Sequence, residues 1–251
     1  MFKAAEKNPL YTLEIGFEIL NSKLPLFNEL SLIPIVENAF EKAKQVPRDQ
    51  REDFYLNLGY LSNAAGNKKI SAECWNKLSL LTGNKSYYMN YAIDLLSLGE
   101  KERAGLILNE LPDSILMENE RTCSMSAVIY KALGQYSEAR AILEKGLDIS
   151  PTFSLLYSNL IGLAQLEEMR DFQQEILKSI IDRIDINTDN YNLRYFRGIA
   201  ESLMGLIASA ADQMLFCFFN KEESLNYQQM RQRDALKDET DVSDCWGICR
   251  I

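Results

Sequence analysis

Glycines at positions 66, 99, 134 and 205 stand 33, 35 and 71 residues apart, the last interval being about two periods with one glycine missing. Arg170 falls roughly at the vacant place. Ahead of each glycine lies a run with helical spacing: Tyr55, Leu58 and Gly59; Tyr88, Tyr91 and Ala92; Cys123, Ala127 and Tyr130; Tyr157, Leu160 and Ala164; Phe196, Gly198 and Leu203. Behind the turns come Ser71 and Trp75, Ala104 and Leu108, Ala139 and Leu143, and Ala210 and Met214. A repeat of this length with helical periodicity inside it restricts the chain to stacked helix pairs, each packing on its neighbours. The unit without a glycine reads differently. Two or three extra residues near Glu168–Asp171 are expected to shift its second helix, with Ile176 and Ile180 taking the apolar places.

The segment Tyr130–Pro151 shows the unit most fully. Leu133-Gly134 closes one helix, Tyr136 opens the next, and Ala139 and Leu143 sit one turn apart on a single face before Pro151. A small residue lets two helices approach, and the leucine fills the space beside it. This pattern resembles the second half of a tetratricopeptide repeat. The resemblance covers about two thirds of the chain and implies an all-α, right-handed superhelical solenoid of about six antiparallel helix pairs. Residues 51–220 are expected to hold five repeats. Residues 1–50 read as a degenerate capping pair, with helices over 12–20 and 35–46 and with Pro25 and Pro34 punctuating the region. Residues 221–237 read as a solvating helix with a thin apolar stripe, and 238–251 as a flexible tail.

Composition narrows the function. Lys and Arg total 27 against 36 acidic residues, a formal charge of −9, and no basic stripe is visible. Nucleic acid and anionic membrane surfaces are therefore not expected partners. No apolar run reaches the roughly 18 residues that a spanning helix needs, and the opening residues lack the apolar core of a signal peptide. The expected location is the cytoplasm. Five cysteines without regular spacing fit a reducing compartment, with Cys74, Cys123 and Cys217 expected as buried thiols. The chain has no histidine, which removes Ser-His and Cys-His nucleophile pairs and His-ligated zinc. No catalytic residue, metal site or cofactor is expected.

In tetratricopeptide arrays the first helices of successive pairs line a concave face. Two places after the leading aromatic position this chain has Asn57, Asn90, Met125 and Asn159, with Phe196 as the less clearly aligned equivalent in the last repeat. Asparagine offers both an acceptor and a donor pair, which suits it to hold peptide backbone whatever the side chains. The resemblance implies that role for Asn57, Asn90 and Asn159. One turn on, the same face would show Tyr60, Ile93, Val128 and Ile199. The paired Lys and Arg that some family members use to clamp a terminal carboxylate are missing, so an internal, partly apolar segment is the expected ligand. The chain thus reads as a non-enzymatic adaptor or chaperone. A second reading rests on Cys245, Trp246 and Cys249, which crowd apolar groups into an otherwise polar stretch. That stretch either docks on the last helices, is recognised or modified by a partner enzyme with the solenoid as its carrier, or forms a regulatory disulfide.

Overall fold

A computed structural model of the chain describes residues 8–21, 29–166 and 170–219. Every regular element among these residues is helical. The backbone divides into two compact units, Met1–Leu116 and Met117–Ile251.

In the first unit α1 (Pro9–Asn21) pairs with α2 (Glu29–Glu41), α3 (Arg51–Ala64) with α4 (Lys68–Thr82), and α5 (Tyr87–Ser97) with α6 (Lys101–Glu110). A single turn, α7 (Asp113–Leu116), closes the unit. In the second unit the pairs are α8 (Glu120–Ala132) with α9 (Tyr136–Ile149), α10 (Ser154–Ala164) with α11 (Arg170–Arg183), and α12 (Tyr191–Leu203) with α13 (Ile207–Phe219). The architecture is an all-α solenoid of antiparallel helix pairs.

The four turn glycines have φ between +73° and +82°, a region where any Cβ is strained. After each one the chain makes the same closure. The N–H of Asn67, Glu100, Gln135 or Leu206 donates to the carbonyl five residues earlier, at 2.8–2.9 Å. That bond satisfies a helix-end carbonyl and sends the next helix back antiparallel. The core then fills from both helices of a pair. Phe54, Leu58 and Leu61 of α3 meet Cys74 and Leu78 of α4, and all five are fully buried. In the second unit Ala139 and Leu143 of α9 are buried as the repeat pattern requires. Helices also approach closely at Gly146. A Cβ added at Gly146 would lie 2.9 Å from both the Cβ of Cys123 on α8 and a methyl of Leu156 on α10.

Two local expectations are corrected. Pro34 does not punctuate; it lies inside α2, whose helix runs from Glu29 and ends at Glu41, short of residue 46. In the second turn a proline forgoes one ladder bond, a loss close to that of the free N–H groups of the first turn. The extra residues of the fourth and fifth pairs are also placed differently. Arg170 opens α11 34 residues after Tyr136 opens α9, so nothing near Glu168–Asp171 displaces that helix. Ile176, Leu177 and Ile180 are buried, one 34-residue period after Ile142, Leu143 and Gly146. What hid the register is Gln173, which stands at the place of Ala139 and donates to the carbonyl of Leu166. The additional length lies before α12, which opens 37 residues after α10.

That longer connection is held by its own polar groups. Asp185 Oδ1 accepts from the N–H of Asn187, Arg197 donates to the carbonyls of Ile181 and Ile184, and Asn190 caps α12 through the N–H groups of Asn192 and Leu193.

Candidate functional site

In α3 the buried residues Tyr55, Leu58 and Leu61 fix one face toward the core. Asn57 and Tyr60, three apart, are thereby left on the outer face, and Tyr60 is 40% exposed. On α5 the buried set is Met89, Ala92, Asp94 and Leu95, which leaves Asn90 and Ile93 half-buried one turn apart.

Trp75 ties these two helices together. Its indole is 3% exposed, packs over Gly59, meets the Tyr60 ring edge-on at 5.0 Å and stacks on Tyr87 at 6.2 Å. A Cβ at residue 59 would sit 3.1 Å from that indole, so the glycine makes room for it. Beneath the aromatic ring lies a polar chain. Trp75 Nε1 donates to Ser71 Oγ at 3.0 Å, and Ser71 Oγ donates to the carbonyl of Gly59 at 3.3 Å. Lys68 Nζ reaches Asp94 Oδ1 at 3.5 Å, carrying the chain from α4 to α5. Burial pushes the Asp94 carboxyl above its ordinary range, against the help it receives from Ser71, Lys68 and Trp75. Its second oxygen has no hydrogen-bond partner among the described residues.

The rim of this surface is acidic. Glu52 and Asp53 are exposed at the start of α3. Burial first, and then the charge of Glu52, raise the Tyr87 hydroxyl above its usual pKa, with smaller contributions from Tyr60 and Asp53. Arg103 is taken: it bonds Glu100 and donates to the hydroxyl of Tyr91 at 3.0 Å.

In the second unit Met125 and Val128 are half-buried on α8. Asn159 of α10 sits beside them, and its amide donates to the buried Ser124 Oγ at 2.8 Å. Phe196 of α12 stacks on Tyr157 of α10 at 6.2 Å. Asn159 and Phe196 therefore take part in holding one helix pair to the next. Asn57 and Asn90, by contrast, make no side-chain hydrogen bond among the described residues. Cys245, Trp246 and Cys249 lie outside the described residues.

Reading the sequence missed the Lys68–Asp94 pair and the acidic rim, since both become visible only once α5 is docked on α4. It also missed Ser124, whose separation from Asn159 of 35 residues is close to one repeat. The same separation recurs on the second helices, where Arg140 bonds Glu175, Ser179 meets Glu144 and Arg183 bonds Asp148. Arg140, Glu175, Ser179 and Arg183 border a shallow hollow of about 490 Å³, but both arginines there are already ion-paired. All three buried thiols, Cys74, Cys123 and Cys217, have raised pKa values, chiefly through burial, which keeps them as poor nucleophiles. No helix among the described residues is long and apolar enough to cross a membrane.

No protein-family model and no curated protein matches the chain. Among solved structures, the crystal structure of a tetratricopeptide repeat protein from Parabacteroides merdae aligns over 94% of both chains, at 17% identity and a TM-score of 0.51. The chain has the tetratricopeptide-repeat fold. A structure of MamA from Desulfovibrio magneticus also aligns, over 68% of this chain and 96% of that one, at 14% identity and a TM-score of 0.48. In tetratricopeptide terms, Trp75 occupies a large-residue place in the second helix of its repeat, and Asn57, Asn90 and Asn159 occupy one shared place in their first helices.

Proposed function

We propose that the chain is a non-enzymatic protein-interaction module, an adaptor or chaperone, and that it grips an extended peptide segment on the exposed faces of α3 and α5. The observation that supports this reading is the contrast between the asparagines. Asn57 and Asn90 keep their full donor and acceptor capacity beside Tyr60 and Ile93, whereas Asn159 has committed its amide to Ser124. A peptide backbone needs donors and acceptors that are not already in use. Apolar side chains of the ligand would rest on Tyr60 and Ile93, and the exposed carboxylates of Glu52 and Asp53 favour a lysine or arginine in the same segment. Within the second unit, Met125, Val128 and Phe196 would offer a half-buried apolar surface of their own.

The test is an immobilised array of peptides with an apolar centre flanked by either lysines or glutamates, probed with the full chain. The lysine-flanked set should be retained preferentially. Asn57→Ala with Asn90→Ala should weaken that binding by about 0.5–1.5 kcal/mol for each lost hydrogen bond, or roughly five- to 150-fold together. Helicity should persist, because alanine is the better helix former. Wild-type retention by the double variant would refute recognition on this face. Retention of glutamate-flanked peptides instead would refute the acidic-rim argument.

A further inference from the structure

The last described helix has two unlike sides. α13 turns Ala210, Gln213 and Cys217 inward against α12. Its other side leaves Ile207 65% and Leu215 53% exposed, with Ala208 and Ala211 exposed between them. The turn before it, Leu203, Met204 and Leu206, is exposed as well. Positions 207, 208, 211 and 215 share one side of α13 and form an apolar stripe about 12 Å long. Elsewhere in this unit α9 and α11 pack against both the preceding and the following helix, so a second helix of this fold expects cover on two sides. α13 packs on α12, and the stripe faces away from it.

We propose that this stripe is the seat of the chain's own Cys245–Ile251 segment. The segment supplies Trp246, Ile248 and Ile251 together with two cysteines, the densest apolar cluster beyond Phe219. Residues 220–237 offer only the thin stripe of Leu225, Met230 and Leu236, and 238–244 are mostly acidic or polar. Twenty-five residues connect Phe219 to Cys245, and a chain of that length would reach about 25–30 Å even as a random coil, enough to return along the stripe. Charge agrees with the pairing. Asp212, exposed next to Ala211, carries no ion pair among the described residues, and Arg250 is the one cation of the segment. A second copy of the chain fits less well, because a formal charge of −9 on each copy opposes self-association.

The native cysteines make the seat testable in the full chain. Ala211→Cys places a thiol on the stripe, at an exposed position that tolerates it, while Cys74, Cys123 and Cys217 are buried and do not compete. Mild oxidation with diamide, which takes up the two protons and two electrons released, should join the introduced thiol to Cys245 or Cys249 within one chain. The linked peptides would be read by mass spectrometry. The reaction should run at least about tenfold faster than from Ser202→Cys, a nearby exposed position off the stripe. Equal rates from both positions, linkage only between two chains, or no linkage would each overturn the proposal. A second readout leaves α13 untouched. Trp246→Ser with Ile248→Ser should speed amide hydrogen exchange in α13 several-fold, and unchanged exchange there would equally overturn it.

Discussion

Asp94 and Gly146 show how single residues decide the packing between repeats. The Asp94 carboxyl is raised above its ordinary value of 3.8, first by burial, so the folded chain holds its proton more tightly than the unfolded chain does. Below the ordinary value both states are protonated and the group is neutral to stability. As pH climbs from there through the raised value, the unfolded chain has already released the proton, and stability falls. Asp94→Asn should remove this decline, so that the variant gains on the wild type in melting temperature between pH 4 and pH 7. Parallel melting profiles for the two proteins would show that Lys68 compensates the buried charge in full. At Gly146 two effects oppose each other. Alanine is the better helix residue by about 1 kcal/mol, but its Cβ would press against a Cβ of α8 that cannot swing aside. Overpacking of about 1–3 kcal/mol prevails, and Gly146→Ala should lower the melting temperature of the second unit.

At the scale of elements, caps and turns explain which helix boundaries were legible. The turn glycines announced themselves because only a residue without a Cβ sits freely at φ near +75°, so Gly66, Gly99, Gly134 and Gly205 could be read directly. The register of α11 could not, because Gln173 replaces the small residue that marks it elsewhere and meets its own hydrogen-bonding need through Leu166. Pro34 misled for a related reason: a proline near a helix start looks like a boundary in sequence although it breaks only one bond. The start of α8 rests on a reciprocal cap. Asn119 Oδ1 accepts from the N–H groups of Arg121 and Thr122, and Thr122 Oγ1 accepts from the N–H of Asn119. Asn119→Ala should cost about 0.5–2 kcal/mol and speed amide exchange in the first turn of α8. Exchange unchanged there would mean that α9 and α10 alone hold α8 in place. The candidate site divided in the same way. Its asparagines were visible as a recurring place, but the commitment of Asn159 to Ser124 depends on how α10 settles on α8.

For the molecule as a whole, the two units should respond separately to damage. Trp75 joins α3, α4 and α5, all within Met1–Leu116. Trp75→Ala should therefore raise hydrogen exchange throughout those helices while α8–α11 keep their protection, since each repeat is stabilised by its immediate neighbours. Uniform loss of protection across both units would show instead that the chain melts as one. Salt should matter little at this scale. The ion pairs of Arg140 and Arg183 involve partly exposed side chains and contribute about 0–1 kcal/mol each, so molar sodium chloride should leave melting nearly unchanged.

The bonds of Asn159 with Ser124, Arg140 with Glu175 and Arg183 with Asp148 each join residues 35 apart, and Lys131 reaches Gly162 across 31. The loop that must close to make such a contact is set by one repeat and does not lengthen as more repeats are added. Search time therefore need not grow with the chain. A variant carrying an extra copy of the α8–α9 pair should refold about as fast as the parent, so that an array of this kind can gain or lose a unit in evolution without being slowed by its own length.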